Sequence, residues 1–269
     1  MSGTETLSNY DLREEIKEYW GKRAETFDTQ PGHEIFSEEE REAWHGLFQR
    51  HLGSGGGRTA LDLACGTGVI SHLLDDLEFT VTGMDWAEPM LERARAKAKA
   101  RQRQIRFLMG DAERTLEPAD RYDVVACRHL VWTLVDPHAA FREWHRVLKP
   151  GGRLLVVDGD FVNAGLVSRL MAGLSRVLEK FSSSSPVQTA GSSPDMRDMH
   201  RSILSRVYFH DGARAEAVAQ LLEETGFSNI RIDRNLRAVK KAQARDFPFL
   251  KGLERAAQHR YAITAVKPD

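Results

Sequence analysis

Long apolar runs are missing from this sequence, and so is an excess of charge of either sign. No run of about 18 apolar residues occurs, which argues against a membrane-spanning helix. Lysine and arginine number 38 against 39 aspartate and glutamate residues, giving a net charge of −1. This balance argues against an obligate nucleic-acid binder, which usually carries a basic excess. The sequence does not open with a charged and then apolar leader, and we expect a cytoplasmic protein.

Cysteine is also scarce, and both residues of this type, Cys65 and Cys127, stand at the end of an apolar run. Two such cysteines do not make a disulfide framework, and a reducing compartment suits them better. Histidine, cysteine and aspartate do not cluster at metal-ligand spacing either. We therefore expect no metal.

The most informative segment is LDLACGTGVIS, residues 61–71, in which an apolar strand runs into two glycines and then into a helix. Gly66 and Gly68 let the backbone turn sharply and approach a ligand without a Cβ atom. The helix that follows points its free N–H groups at the same place. Asp85 closes a second apolar run 23 positions after Asp62, near the ~20-residue offset at which an acid meets a ribose. The spacing predicts a pocket for a nucleoside.

Short apolar segments alternate with helical ones through the middle of the chain. The predicted strands are residues 59–65, 79–85, 105–110, 122–128 and 153–158, with helices at 69–77, 87–103 and 137–148. Such alternation is typical of βαβ units and a parallel sheet. Two final strands are predicted at residues 229–235 and 260–266, after a helix at 213–225.

The composition changes along the chain divide it into four predicted regions. Residues 1–52 form an N-terminal helical cap, with disorder expected over residues 1–9. Residues 53–160 form the nucleoside-binding core. Residues 161–210, which contain a stretch rich in serine, proline and glycine, form a helical lid or an acceptor-pocket insertion. Residues 211–269 form the C-terminal part of the core sheet.

Four sequence motifs follow one another in the order found in a known family. They are LDLACGTG at 61–68, VTGMDWAEPML at 81–91, GDAE at 110–113, and YDVVACRHLVWTL followed by RVLKPGGRLLVVD within 122–158. Together they resemble the class I S-adenosylmethionine (SAM)-dependent methyltransferases, in particular the type 11 small-molecule branch with the ubiquinone and menaquinone methyltransferases. The resemblance implies an α/β, Rossmann-like, mostly parallel seven-stranded sheet with helices on both faces, an N-terminal helical cap and a helical lid inserted after strand five.

The resemblance also implies SAM as the cofactor and assigns it a set of binding residues. Asp62 is expected to accept a hydrogen bond from the methionine ammonium, Asp85 to bind both ribose hydroxyls, Asp111 to accept from the adenine amino group, and Arg23 to meet the methionine carboxylate. The full predicted set is Tyr19, Trp20, Arg23, Asp62, Ala64, Cys65, Gly66, Gly68, Asp85, Trp86, Met90, Gly110, Asp111, Ala112, Glu113, Arg128 and His129.

Several of these residues have simpler interpretations that the sequence leaves open. Tyr19 and Trp20 could be ordinary helix-packing aromatics. Gly66 and Gly68 could open an NAD site, although Ser71 stands where a dinucleotide motif has its third glycine. With all four motifs present, SAM is the favoured cofactor.

Methyl transfer from SAM is a direct displacement, so the protein mainly has to align the acceptor, the methyl group and the sulfur. A base is needed only if the acceptor keeps its proton. The candidate catalytic residues are His129, which could instead be a polar lining group, and Asp158. The candidate acceptor-binding residues are Asp160, His200, Tyr208 and His210. Asp160 could equally cap a helix that starts near Phe161.

We therefore predict a SAM-dependent methyltransferase that acts on O, N or S of a small-molecule acceptor, without a nucleic-acid or membrane partner. The motifs used for nucleic-acid bases, Asn/Asp-Pro-Pro-Tyr and Pro-Cys, are absent. The alternatives are an RNA or protein methyltransferase, a SAM-binding regulatory protein without turnover, and an NAD-dependent oxidoreductase. The acceptor and the oligomeric state, a homodimer included, stay open.

Overall fold

The alternating apolar segments form one seven-stranded sheet in a computed structural model that describes residues 3–30, 32–163, 194–247, 252 and 258–269. The strands are β1 Thr59–Leu63, β2 Thr80–Asp85, β3 Arg106–Met109, β4 Tyr122–Arg128, β5 Leu148–Asp160, β6 Ser228–Asp233 and β7 His259–Val266. The helices are α1 Gly3–Phe27, α2 Glu38–Leu52, α3 Val69–Asp76, α4 Glu88–Ala100, α5 Pro137–Val147, α6 Pro194–Leu204, α7 Ala215–Glu224 and α8 Arg237–Ala244, with a 3₁₀ turn at Val131–Thr133.

The strand order is β3-β2-β1-β4-β5-β7-β6, and this topology confirms the predicted fold. Strands β1 to β5 are parallel, whereas β7 runs antiparallel to both β5 and β6. The order reverses between β1 and β4, because the chain returns to the middle of the sheet after β3. In open α/β sheets, ligands bind at such a switch point, outside the carboxyl ends of the strands.

Both faces of the sheet are covered, which explains the near-continuous apolar runs of the central strands. Val125 packs into a cluster with Trp144 of α5. Its neighbour Val124 faces the other side and packs with Trp44 of α2. The two layers therefore fix the central strands from both sides and hold their carboxyl ends in place.

Helix α1, part of the predicted N-terminal cap, lies beside this carboxyl edge. It packs against α6 through a small cluster in which Leu12, Ile16 and Tyr19 meet Ile203 and Val207. No helix in the part of the chain that the structure describes is both long and apolar enough to cross a membrane.

Three sequence-based boundaries needed correction. Helix α1 begins at Gly3, so the expected disorder over residues 3–9 was wrong; neither glycine nor proline interrupts the chain between Gly3 and Gly21. Strand β5 begins at Leu148 rather than at residue 153, because Leu148 already pairs with Tyr122. Helix α8 occupies part of a segment that had no assignment. Most of the predicted lid lies outside the described residues.

Candidate cofactor-binding site

A cavity opens at the switch point of the sheet, and residues from all four motifs line it. The predicted cofactor residues on its walls are Trp20, Asp62, Ala64, Cys65, Gly66, Asp85, Trp86, Met90, Gly110, Asp111, Ala112, Glu113, Arg128 and His129. Sequence reasoning missed other lining residues, chiefly Phe27, His33, Thr67, Leu130, Thr133 and Leu134. Tyr19, Arg23 and Gly68 were predicted but do not line the cavity.

The loop after β1 is shaped by three residues with left-handed backbone. Ala64, Gly66 and Gly68 have φ angles of 50°, 55° and 86°. A Cβ atom on Gly66 would lie 3.6 Å from the ring of Phe27, at the cavity wall. A Cβ atom on Gly68 would instead lie 3.3 Å from Ala94. Gly68 therefore serves the close approach of α3 and α4, and Gly66 shapes the cavity.

Asp85, at the end of β2, ties this loop to the strand. Its Oδ2 accepts a hydrogen bond from the Gly66 amide and its Oδ1 accepts one from the Ala87 amide, both at 2.9 Å. Burial raises the pKa of Asp85 to about 6, although the two amides act in the opposite direction. Each carboxylate oxygen can accept a further hydrogen bond. Asp85 can therefore hold the loop and bind ligand hydroxyls together.

Asp62, at the carboxyl end of β1, is almost fully buried beside the same loop. Its Oδ2 accepts a hydrogen bond from the Ser71 hydroxyl at 2.6 Å. Burial raises the pKa of Asp62 to about 7, and neither this hydrogen bond nor the positive charge of Arg128 offsets the effect. Ser71 occupies the position of the third glycine of a dinucleotide motif. Here the residue at that position donates a hydrogen bond to Asp62.

Arg128, at the end of β4, brings a buried positive charge to the cavity. Its Nη2 donates to the His33 carbonyl at 2.6 Å, and its guanidinium lies 5.2 Å from the centre of the Trp44 ring. Its Nη1 is buried and has no hydrogen-bond partner among the described residues. Burial lowers the pKa of Arg128. Arg128 is among the residues that line the cavity, and a guanidinium group there is suited to an anionic ligand group.

Glu113 lines the cavity, but its carboxylate is engaged by the protein. It accepts hydrogen bonds from the amides of Val135 at 2.6 Å and Asp136 at 3.2 Å, and it pairs with Arg13 of α1. Burial raises its pKa. Glu113 therefore connects the N-terminal cap to the loop after β4. Its neighbour Asp111, which also lines the cavity, accepts a hydrogen bond from the Glu113 amide through Oδ1 at 2.8 Å.

Two residues of the cap point away from the cavity. Arg23 donates to the Tyr19 hydroxyl at 3.0 Å and to Gln30 Oε1 at 2.5 Å. Tyr19 is 3% exposed and packs within the α1–α6 cluster. The simpler interpretation of Tyr19 as a packing aromatic therefore fits its position, whereas Trp20 reaches the cavity.

An aromatic cluster stands beside the cavity, where β4 and β5 end. The His129 ring stacks on Phe161 with centroids 5.4 Å apart, and Trp132 meets both Phe161 and Trp20 edge-on at 6.3 Å. His129 has a φ of 59°, in the left-handed region. The chain therefore turns at His129, where the loop after β4 begins. His129 also lines the cavity.

The two acidic residues predicted at the end of β5 lie outside this cavity. Asp158 is 1% exposed and accepts hydrogen bonds from the amides of Val131 at 2.7 Å and Gly159 at 2.8 Å. This position argues against direct contact with an acceptor. Asp160 accepts from the Asn163 amide at 2.9 Å, as a turn-capping residue does, and it lines a second cavity.

The remaining predicted acceptor residues do not line the cofactor cavity. The His200 ring stacks on Tyr19 at 5.4 Å and approaches Trp132 at 5.8 Å, and burial lowers its pKa. Tyr208 and His210 are exposed. Their predicted roles stay predictions. The described residues contain no group of three or more histidine, cysteine, aspartate or glutamate side chains placed to hold a metal ion.

Comparison with known proteins identifies the domain that carries the cavity. Residues 61–156 match the family described as "Methyltransferase domain", type 11. The chain is 32% identical over 98 residues to a ubiquinone biosynthesis O-methyltransferase of Coxiella burnetii, covering 36% of this chain and 42% of that protein. It is 32% identical over 128 residues to a demethylmenaquinone methyltransferase of Lactococcus lactis, covering 46% and 51%. The chain thus spans about half or less of these relatives' lengths.

A solved structure extends the similarity over nearly the whole fold. A phosphoethanolamine N-methyltransferase of Haemonchus contortus, in complex with SAM, superposes with a TM-score of 0.63 at 14% identity. The alignment covers 93% of this chain and 57% of that one. At this identity the similarity shows the fold. Residues 61–156 therefore match a methyltransferase domain of type 11, and this segment carries nearly all of the four motifs.

Proposed function

We propose that this protein transfers a methyl group from SAM to O, N or S of a small-molecule acceptor. The observation that carries the proposal is the convergence of four separate motifs on one cavity at the switch point of the sheet. Structural elements far apart in sequence bring Asp62, Asp85, Asp111 and Arg128 to its walls. Packing alone does not require four polar or charged groups at one cavity.

The cavity offers a complementary group for each part of SAM. Asp85 faces the ribose hydroxyls, and Asp111 with the Ala112 amide faces the adenine edge. Asp62 faces the methionine ammonium. Arg128, which lines the cavity, takes the carboxylate role that the sequence assigned to Arg23, whose guanidinium is engaged by Tyr19 and Gln30.

SAM supplies a methyl group on a positively charged sulfur, which is already a good leaving group. The protein's task is therefore alignment and exclusion of water. The face of an aromatic ring attracts a cation, and Trp20 offers such a ring at the cavity wall. His129 stands at the end of β4, where it can orient the acceptor or accept its proton.

A ring-containing acceptor with oxygen as the attacked atom is the preferred form of this proposal. The aromatic cluster of Trp20, Trp132, His129 and Phe161 provides flat apolar surfaces against which an aromatic ring can pack. The names of the two quinone-pathway relatives support a ring-containing acceptor, and that of the ubiquinone biosynthesis O-methyltransferase supports oxygen as the attacked atom.

The test is an isotope-transfer experiment. The protein is incubated with SAM that carries a labelled methyl group, together with a cell extract, and labelled products are identified by mass spectrometry. A labelled small molecule supports the proposal, and label in RNA or protein contradicts its acceptor class. Binding of SAM without any transfer would favour a regulatory protein. Calorimetry with SAM and with NAD tests the cofactor separately.

A further inference from the structure

A second cavity, of about 330 Å³, lies at the same edge of the sheet but on the other side of β5. Among the described residues it shares no wall with the cofactor cavity. The pairing of Asp160 with His259 places the end of β5 beside the start of β7, and Arg234 directly follows β6. A single water needs only about 10–15 Å³ by a comparable measure, so this space can hold a small ligand.

The walls of this cavity carry more positive than negative charge. Among the described residues, its cationic side chains are Arg214, Arg234, Lys240 and Arg260. The acidic side chains in the same described part of the wall are Asp160 and Glu216. The imbalance matters here because the protein as a whole is close to neutral, with a net charge of −1.

Both carboxylates already have hydrogen-bond or ion-pair partners within the protein. Asp160 accepts hydrogen bonds from the Asn163 amide at 2.9 Å and from the Asn163 side chain. The Arg214 Nε lies 3.9 Å from Asp160, at the limit of an ion pair. Glu216 pairs with Arg234.

Lys240 is the cation whose situation most favours a bound anion. Its Nζ donates to the Gln258 carbonyl at 2.7 Å, which is a neutral acceptor. Burial lowers the pKa of Lys240, and the positive charge of the neighbouring Arg260 lowers it further. Arg260 is 7% exposed and is held by a hydrogen bond to Gln243 Oε1. Two partly buried cations side by side are stabilised when an anion joins them.

The start of α7 adds to the positive character. Arg214 is the N-cap of this helix and makes no side-chain capping hydrogen bond, and Ala215 and Glu216 of the first turn line the cavity. A helix N-terminus favours negative charge. The N-terminus of α7 adds positive potential to that of the cationic side chains, and without those side chains it would not define a site.

We propose that the second cavity binds a small oxyanion group, a phosphate, sulfate or carboxylate, at Lys240 and Arg260, with Arg214 and the start of α7 adding positive charge. This site is separate from the cofactor cavity, and the proposal does not depend on methyl transfer. The oxyanion is either a free ion or the charged end of a larger molecule.

The direct test is the binding of inorganic phosphate to the full-length protein, measured by calorimetry. Lys240→Met should weaken binding by about tenfold or more, because it removes a charged hydrogen-bond donor. The matched control is Lys241→Met, which removes the same side chain from the next position of α8, where it is exposed and lines neither cavity. It should leave binding nearly unchanged. Absence of phosphate binding, or equal weakening by both substitutions, overturns the proposal.

A second measurement needs no variant and therefore does not depend on how the substitutions fold. Lysines of the wild-type protein are acetylated with and without phosphate, and peptide mass spectrometry follows each one. Phosphate should protect Lys240 and leave Lys241 unaffected; equal labelling of Lys240 in both samples contradicts the site. Phenyl phosphate then distinguishes the two sources. Tighter binding of the ester indicates the charged end of a larger molecule, and tighter binding of inorganic phosphate indicates a free ion.

Discussion

Asp85 and Gly66 are joined by a hydrogen bond of 2.9 Å from the glycine amide to the carboxylate, across 19 positions of sequence. The bond fixes the loop after β1 against the end of β2, and both residues line the cofactor cavity. One carboxylate therefore shapes the loop and also lines the cavity in which we propose that SAM binds. This double role means that its removal affects both stability and binding.

Asp85→Ala should weaken SAM binding by roughly 1.5–3 kcal/mol, because a charged hydrogen-bond acceptor is lost. The measurement is calorimetric titration. Asp123→Ala is the matched control, since Asp123 also accepts a backbone amide, from Thr59 at 2.8 Å, but lies at the opposite end of β4. That substitution should lower stability while leaving SAM affinity unchanged. Unchanged affinity in Asp85→Ala would remove this residue from the site.

Arg128→Met should weaken SAM binding about tenfold or more and leave the binding of methylthioadenosine nearly unchanged. Methylthioadenosine keeps the adenosyl group and the sulfur but lacks the amino-acid moiety, so it does not report on the methionine carboxylate. Arg23→Met is the comparison, and it should have little effect on either ligand. If the Arg23 substitution selectively weakens SAM and the Arg128 substitution does not, the carboxylate partner is Arg23, as the sequence first predicted.

The fold followed from the sequence because its signals are local. Strand β4 begins and ends where it was predicted, at Tyr122 and Arg128, since a short apolar run is bounded by charged residues. The motif positions then placed most of the cavity walls, because carboxyl ends of parallel strands meet at one edge.

The parts of the site that were missed depend on contacts between distant segments. His33 reaches Arg128 across 95 positions, and no local pattern signals that contact. Asp158 stands at a strand end like the true lining residues, but the Val131 amide satisfies it inside the fold. Which strand-end carboxylate faces a ligand and which one holds a loop is decided by tertiary packing.

The affinity for SAM should rise as the pH increases through about 7. Burial raises the pKa of Asp62 to about 7 in the ligand-free protein, whereas the methionine ammonium favours the ionised carboxylate. Below that pH, binding has to displace a proton, which weakens it. Calorimetry between about pH 6 and pH 8 should show the rise and the release of a proton. Asp62→Asn should bind SAM less tightly and show a flatter profile, keeping only the contribution of Asp85. If the SAM affinity of Asp62→Asn depends on pH as that of the wild type does, Asp62 is not the group that titrates on binding.

His129→Asn should lower kcat by about 10² or more if this residue moves the acceptor's proton, while SAM affinity changes little. Asparagine is chosen because it tolerates the left-handed backbone that His129 adopts, at a φ of 59°. The measurement needs the acceptor found by isotope transfer, and the pH profile of kcat is the second readout. A variant with normal kcat and a raised KM would make His129 an acceptor-positioning residue.

The stability of Asp158→Asn relative to the wild type should improve as the pH rises from about 4 to about 7. Burial raises the pKa of Asp158 to about 7, whereas an unfolded chain loses this proton near pH 4. In that interval the folded state binds more protons, so the free energy of unfolding falls with rising pH. The asparagine variant does not lose stability in this way. Between pH 4 and pH 7 its free energy of unfolding should therefore gain more than about 1 kcal/mol relative to that of the wild type. Urea unfolding at several pH values measures it.

Asp123→Asn provides the contrast for this measurement. Burial acts to raise the pKa of Asp123, but hydrogen bonds from Lys149 and Thr59 outweigh it and hold the pKa at about 2. Its stabilising effect is therefore lost only as the pH falls from about 4 towards 2. Between pH 5 and pH 7 the free energy of unfolding of Asp123→Asn should therefore change with pH in the same way as that of the wild type. If Asp158→Asn also runs parallel there, Asp158 is ionised in the folded protein, and the hydrogen bonds from Val131 and Gly159 stabilise its charge more than burial disfavours it.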